Sequence, residues 1–457
     1  MAAACAAPER SHPREAPQRT ELTAAVLSAS GVYAALEEEL ASDLERELRL
    51  PPETRPPLRA APLHGEDLIA ALAKVRREMD GVGGSDRELF MKVVMKRLAR
   101  SEIPQPIPIE LAHINESVAP AVSAARLALA CDVVRRPYDL ARDAESFTQG
   151  AGALLDGAPA LELGFVLQTV DALGHGHAGE AARLASDLWR LEDDLFRDER
   201  LGRGRLGSDL SAWTPAVLIS GAIENLDGRE LAELDAELVR LEKTLPSMTR
   251  YVRVQRLALG CRFRSRARGA PASSWGPSDD RAFIDTTDLP PEVDQLSPDE
   301  RRAAARLRSI GATWGGVDHG LRLIEAVIDG LSPSGAWFAV NAQRPGPSAT
   351  SVDEMAKEVL ELVTWVFENH LQRIAYLRLL RVAVAARRFQ LVHDAWPKTL
   401  EEAVGRAAGE EERSPFDGSF MRLESGGGVV VVAVHAEDSP RPREIGLGCG
   451  WRATGKR

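Results

Sequence analysis

Four times along this chain a serine or threonine stands three places ahead of a glutamate at the edge of an apolar run: Ser85 and Glu88, Ser297 and Glu300, Ser351 and Glu354, Thr399 and Glu402. That spacing belongs to a reciprocal helix start. The hydroxyl accepts from the amide three residues on, and the carboxylate reaches back to the amide of the cap. Pro298 follows Ser297 directly, at the first helical position, where its missing N–H removes nothing the helix would use. Asp227 and Glu230 make a looser version with Gly228 inside it. A chain punctuated in this way is committed to many helices. Its composition agrees, since Ala, Leu, Glu and Arg dominate and lose little side-chain freedom in a helix, while aromatics make up only 5%. The expected fold class is mainly α.

Between residues 161 and 198 the apolar positions fall at helical spacing on both sides of a small-residue turn. Phe165, Val166, Thr169, Val170 and Leu173 stripe the first half, and Gly174-His175-Gly176-His177 breaks it. Ala181, Leu184, Ala185, Leu188 and Leu191 stripe the second half. Residues 215–226 and 230–245 repeat the plan, with Leu231, Leu234, Leu238 and Leu241 as the stripe. A small-residue turn followed by an Ala/Leu helix resembles the tetratricopeptide hairpin. The resemblance implies an array of packed helical hairpins, without a regular repeat period.

Composition shifts divide the chain further. Residues 1–60 read as a disordered leader to about residue 19, then a helix near 22–50 stopped by Pro51-Pro52, then a Pro-rich connector. Residues 61–264 read as the helical-hairpin domain, opened by a helix near 67–79 and a Gly81-Val82-Gly83-Gly84 break. Residues 265–296 crowd Ser, Pro, Gly and Asp around Ser273-Ser274-Trp275-Gly276-Pro277 and read as a linker. Residues 297–351 carry further helices and an irregular stretch from 332. Residues 352–457 carry a long helix to about His393 and a small β-hairpin unit, with strands at 420–423 and 429–434. The long helix lines up Leu360, Val363, Val366, Phe367, Leu371, Ile374, Leu377 and Val384, interrupted by Arg373, Arg378, Arg381, Arg387 and Arg388. A membrane span would carry those arginines at high cost, so a core helix with a basic flank is expected.

From about Leu371 to His435 the pattern resembles the stem and head of the major pseudopilin of bacterial type II secretion. In that family a long helix leads into a tyrosine–proline step, a short Leu-rich helix, a D-P-x-x-G-type turn and a small antiparallel sheet. The matching residues are Trp396-Pro397-Lys398-Thr399-Leu400-Glu401-Glu402-Ala403, then Ser414-Pro415-Phe416-Asp417-Gly418, then the hairpin. Trp396 stands in place of the usual Tyr and Ser414 in place of the Asp, and the membrane-embedded pilin helix is missing, which argues against a polymerising pilin subunit. The same ending, together with the rhythm of residues 160–260, resembles uncharacterised bacterial envelope proteins built from Ala/Leu-rich helical hairpins. The resemblance implies a helical array with a small C-terminal α+β pseudopilin-like unit. It implies no activity.

Several clusters invite a chemical reading. Within the acidic run from Glu192 to Glu199, Asp193 and Asp194 with Asp198 are similar to the aspartate-rich motif of all-helical prenyl-transferring enzymes, which hold magnesium diphosphate. Such enzymes need a second acidic motif, and Asp279-Asp280 with Asp285 has some of its letters within the linker. The plainer expectation is a solvated charged helix end with Arg190, Arg197 and Arg200 interleaved. His175 and His177 have a spacing that can serve a metal, but the nearest acids are Asp171 and Glu180, so a polar turn is expected. Arg262, Arg264, Arg266 and Arg268 alternate where a helix C-terminus would favour positive charge; if extended, they could meet an acidic partner. Gly311 to Gly320 is Gly-rich but lacks the Gly-x-x-x-x-Gly-Lys order of a nucleotide loop. Asp318-His319 has no identifiable nucleophile, and His393-Asp394 reads as a helix cap. No catalytic, cofactor-binding or metal-ligating residue is assigned.

A net charge of −11 disfavours nucleic acid as a partner. The four cysteines lie far apart, so Cys131 and Cys261 read as buried thiols. Ala2-Ala3-Ala4-Cys5 resembles the end of a lipoprotein signal without its charged and apolar regions. Membrane attachment is therefore expected only if such a signal once preceded Cys5. The sequence leads to the expectation of a non-enzymatic interaction or scaffold protein of the bacterial envelope with a protein partner. Its compartment would be cytoplasmic if the chain starts at Met1. A magnesium-dependent helical enzyme acting on a diphosphate is the alternative.

Overall fold

The computed structural model describes residues 26, 30–49, 58, 63–67, 94, 109–133, 158–197, 213–267, 297–342, 351–425, 429–433 and 445–449. Helix predominates among them: α1 (Val32–Leu48), α2 (Ile109–Leu129), α3 (Ala158–Gly174), α4 (Ala178–Arg197), α5 (Trp213–Ile223), α6 (Gly228–Lys243), α7 (Met248–Ala267), α8 (Pro298–Gly330), α9 (Pro333–Ala342), α10 (Ser351–His393) and the short α11 (Leu400–Val404). The chain is mainly helical. Strands β1 (Leu63–Asp67) and β2 (Cys131–Val133) pair in parallel. Strands β3 (Arg422–Ser425), β4 (Val429–Ala433) and β5 (Ile445–Cys449) pair antiparallel in that order, Leu423 opposite Val431 and Val431 opposite Leu447.

Contacts divide the chain into two compact units, one of residues 1–44 and 257–318, the other of residues 45–256 and 319–457. The first is organised around Trp314 of α8. Tyr33 of α1 meets its ring edge-on at 5.9 Å, and Phe263 of α7 stacks on it at 5.9 Å. Glycines allow these helices to approach. A Cβ on Gly311 would lie 2.8 Å from the Tyr33 amide nitrogen, and one on Gly260 would lie 2.8 Å from Leu40 Cδ1. The Gly311–Gly320 stretch thus lies inside a helix, and its first glycine serves helix-to-helix contact.

In the second unit α4 lies between α3 and α5, and α3 also packs on α2, where Gly164 admits Val118 and Val122. The first expected hairpin is formed by α3 and α4; α5 and α6 pack chiefly on α4 and α10, not on each other as the second expected hairpin requires. The α3–α4 turn follows from Gly176: at φ +76° it ends α3, with the Gly176 amide donating to Leu173 O and the His177 amide to Ala172 O. All ten stripe residues of this hairpin are buried, which is what turns the spacing into a fold. Asp227 caps α6 reciprocally with Glu230, and Ser297 caps α8 with Glu300. Thr399 caps α11, although the Glu402 carboxylate accepts from the Lys398 amide instead of the cap's own. Ser85 and the side chains of Ser351, Glu354 and Leu360 lie outside the described residues.

The longest helix is α10, 43 residues. Val363, Val366, Phe367, Leu371, Ile374, Leu377 and Val384 are all buried, as the sequence predicts. So are Ala375, Leu379, Leu380, Val382 and Ala383, because α5 and α6 pack on α10 together with α9, α11, β4 and β5. One expectation needs correction. The irregular stretch from 332 contains α9, started by Ser332, whose hydroxyl accepts from the Gly335 amide at 3.3 Å, with Pro333 at the first helical position. The expected leader, the helix near 67–79 beyond Asp67, the Gly81–Gly84 break and residues 268–296 lie outside the described residues. Among the described residues no helix is long and apolar enough to cross a membrane.

Candidate functional site

The last turns of α4 carry the acidic run, and the structure overturns its reading as a solvated helix end. Glu192, Asp193 and Asp194 are 1%, 0% and 0% exposed. The reason lies on α10, whose Arg373 reaches across: Nη2 donates to Glu192 Oε2 at 2.7 Å and Nη1 donates to Asp193 Oδ1. Buried carboxylates persist where a buried cation compensates them, and here one guanidinium fork spans two adjacent carboxylates. Burial pushes the Glu192 carboxyl up to about 8, with Arg373 opposing the shift and Asp193 adding to it. His370, one turn earlier on α10, is pulled down to about 4 by burial and then by the Arg373 charge. Arg190 is wholly buried and donates from Nη1 to Thr244 Oγ1 at 2.6 Å. At the other end of α4, Arg126 of α2 donates to Asp187 at 2.9 Å and Glu180 at 2.6 Å.

The remaining arginines of α10 form a second set of ties. Arg378 donates to Glu242 of α6 at 2.9 Å and to the carbonyls of Glu410 and Arg413 at 3.1 and 2.9 Å. Arg381 bridges Glu242 and Glu411, and Arg387 donates to the Glu224 carbonyl at 2.7 Å. Arg378, Arg381 and Arg387 of this basic flank join α10 to α6, to the turn before it and to the segment before the sheet; Arg388 alone of the five is exposed. That segment is tightly turned. The Gly418 amide donates to Ser414 O, Asp417 Oδ1 accepts from the Ser419 amide, and Phe416 is fully buried. Arg413 stacks over the exposed Phe420 ring at 3.9 Å.

Other candidates stand apart from this cluster. His175 and His177 are exposed, and His175 Nδ1 lies 2.9 Å from the Asp171 carbonyl. Among the described residues no group of three or more His, Cys, Asp and Glu is placed to hold a metal. The aspartate-rich reading asks its carboxylates to line a cavity and take a cation. At Asp193 the Arg373 guanidinium already takes that place, and Asp194 is buried. Asp198, Asp279, Asp280 and Asp285 lie outside the described residues. The stretch from Arg262 is helical to Ala267, at the C-terminal end of α7, where its charge suits the helix dipole. Arg268 lies outside the described residues. Asp318 and His319 lie within α8, and Asp394 ends α10 in the left-handed region at φ +52°. Cys261 is a buried free thiol whose pKa burial raises.

Between the start of α4 and α6 a small open groove is lined by Gly179, Ala182, Arg183, Leu226, Glu230, Glu233, Leu234 and Glu237. Its rim is ion-paired. Glu233 accepts from Arg183 at 3.3 Å and from Arg229 at 3.0 Å, bonds that hold its carboxyl below the usual range. Sequence reasoning missed the partnership of Arg373 with the acidic run. The signal was partial: between Leu371 and Leu380 the sequence is mostly apolar, and an arginine set there needs carboxylates from elsewhere. Comparison with protein-family models, with curated proteins and with solved structures finds no match to the chain.

Proposed function

We propose that this chain is a non-enzymatic interaction or scaffold protein of the bacterial cell envelope, built as a tetratricopeptide-like array with a pseudopilin-like C-terminal unit. The observation that carries the reading is the run from α3 to α6. The α3–α4 hairpin buries its stripe, α6 packs beside α4 with Leu231, Leu234, Leu238 and Leu241 buried, and a groove rimmed by Arg183, Glu230 and Glu233 is left between α4 and α6. A protein partner docks there through complementary charges. The ionised groups deeper in this unit serve helix-to-helix ties. The C-terminal unit acts as a packing module on α10, a role supported by the buried Pro397, Leu400 and Phe416. The envelope assignment rests on the sequence resemblance of residues 160–260 and 371–435.

The test is capture by the full chain from envelope extracts, with and without Arg183→Glu and Glu233→Arg introduced singly. Each single reversal breaks the rim pairing and should abolish retention of a discrete, identifiable partner. Capture of the same proteins by wild type and both variants would sink the groove as the docking site.

A further inference from the structure

We propose that the projecting C-terminal end of α10 is a contact surface for an anionic lipid bilayer, with Leu391 and Val392 entering the interface and Arg388 and Lys398 meeting the phosphates. This surface is separate from the groove between α4 and α6 and does not depend on it. From Leu371 to Ala386 the helix is mostly buried. From Arg387 to Trp396, ten consecutive residues, none is buried, and the chain returns to the core at Pro397 and Leu400. Val392 is 77% exposed, more than any other large apolar side chain among the described residues, and Leu391 beside it is 46% exposed. Phe389 and Trp396 are half-buried on the same projection, the Phe389 ring 4.1 Å from that of His393.

The projection is cationic in an acidic chain. Between residues 387 and 398 Arg387, Arg388 and Lys398 stand against the one carboxylate of Asp394, whereas the whole chain carries −11. Arg388 precedes Leu391 by three residues and Val392 by four, so its exposed side chain lies on their side of the helix. Arg387 is engaged, donating to the Glu224 carbonyl at 2.7 Å and to the Gln390 side chain. Of the carboxylates that follow on α11, Glu402 accepts from the Lys398 amide at 2.7 Å and Glu401 is exposed. A projecting tip of this composition suits a bilayer. Its apolar side chains bury at the boundary of headgroups and acyl chains, and an indole sits at headgroup level. Long basic side chains run alongside and keep their charge among the phosphates. A second copy of the chain fits less well, because a two-fold contact through this patch brings the Arg388 side chains of both copies together.

Flotation of the full chain with phosphatidylcholine vesicles, with and without phosphatidylglycerol, tests this. The wild type should float with the phosphatidylglycerol vesicles. Its bound fraction should fall as NaCl rises from about 0.1 M to about 1 M, where the screening length shrinks from about 10 Å to about 3 Å. Arg388→Gln removes one cation from the lipid surface and should weaken binding about fivefold. Val392→Glu puts a charge where apolar surface would enter the interface and should weaken binding about tenfold or more. Both positions are exposed, so both variants should keep the wild-type circular dichroism. No flotation, equal flotation with and without phosphatidylglycerol, or wild-type binding by Val392→Glu would overturn the proposal. Light scattering covers the second copy: a dimer that Val392→Glu dissociates, with no vesicle binding by the wild type, would give the patch to self-association and overturn it equally. If Val392→Glu loses helicity, Arg388→Gln decides, with weakened binding in support and unchanged binding against.

Discussion

Replacing Gly311 by alanine sets two effects of opposite sign against each other on one helix. On propensity alone an alanine inside α8 gains about 1 kcal/mol over glycine. The added Cβ, however, would lie 2.8 Å from the Tyr33 amide nitrogen, 2.9 Å from its Cβ and 3.0 Å from its Cα. Those atoms are mostly backbone, so α1 itself must shift. Overpacking of this kind costs about 1–3 kcal/mol, and pushing Tyr33 off the Trp314 ring removes about 0.5–1.5 kcal/mol more. The net expectation is a loss of about 1–3 kcal/mol. Gly316, five residues on in the same helix, has no atom within 4 Å of its would-be Cβ. Gly316→Ala should therefore gain about 0.4–1 kcal/mol. The assay is hydrogen exchange across residues 300–318, which reports this unit without assuming that the whole chain unfolds in one step. If Gly311→Ala is protected as well as wild type, or the two substitutions act alike, the close approach of α1 and α8 is refuted.

Arg373→Met removes the guanidinium from which Glu192 and Asp193 both accept and should cost about 3–5 kcal/mol, read as a lowered urea midpoint. Asp227→Ala removes the side-chain cap of α6 and should cost about 1 kcal/mol, visible as faster exchange in the first turn of that helix. A double-mutant cycle on Arg378 and Glu242, side chains only 12% and 19% exposed, should return a coupling of about 0.5–3 kcal/mol; a value near zero would remove that tie. Because burial raises the Cys261 pKa, an alkylating reagent at neutral pH should label this thiol only in denaturant.

The helical architecture was written in local signals. The stripes at 165–173 and 181–191, the Gly176 turn and the Asp227–Glu230 cap involve residues within a few positions of one another, and periodicity reaches that far. The same kind of signal marks Ser332-Pro333, a cap and first-turn proline that the surrounding Gly, Pro and Ser obscured. The acidic run was misread because its local pattern, carboxylates interleaved with arginines, is also that of a wet helix end. What decides burial there is Arg373, 181 positions from Glu192, and no spacing rule connects the two. Gly311 is a case of the same kind. Composition shows a glycine-rich stretch, but only Tyr33, far back in the chain, gives the first of those glycines its purpose.

The helical core of the second unit uses its buried charges to join helices, and calorimetric titration of the full chain with magnesium and inorganic pyrophosphate tests that most directly. With Arg373 holding Glu192 and Asp193, wild type and Asp193→Asn should give the same heats, with no saturable binding that depends on this carboxylate. Saturable binding to the wild type that Asp193→Asn abolishes, in a variant that still folds, would contradict it and restore the acidic run as a metal–diphosphate site.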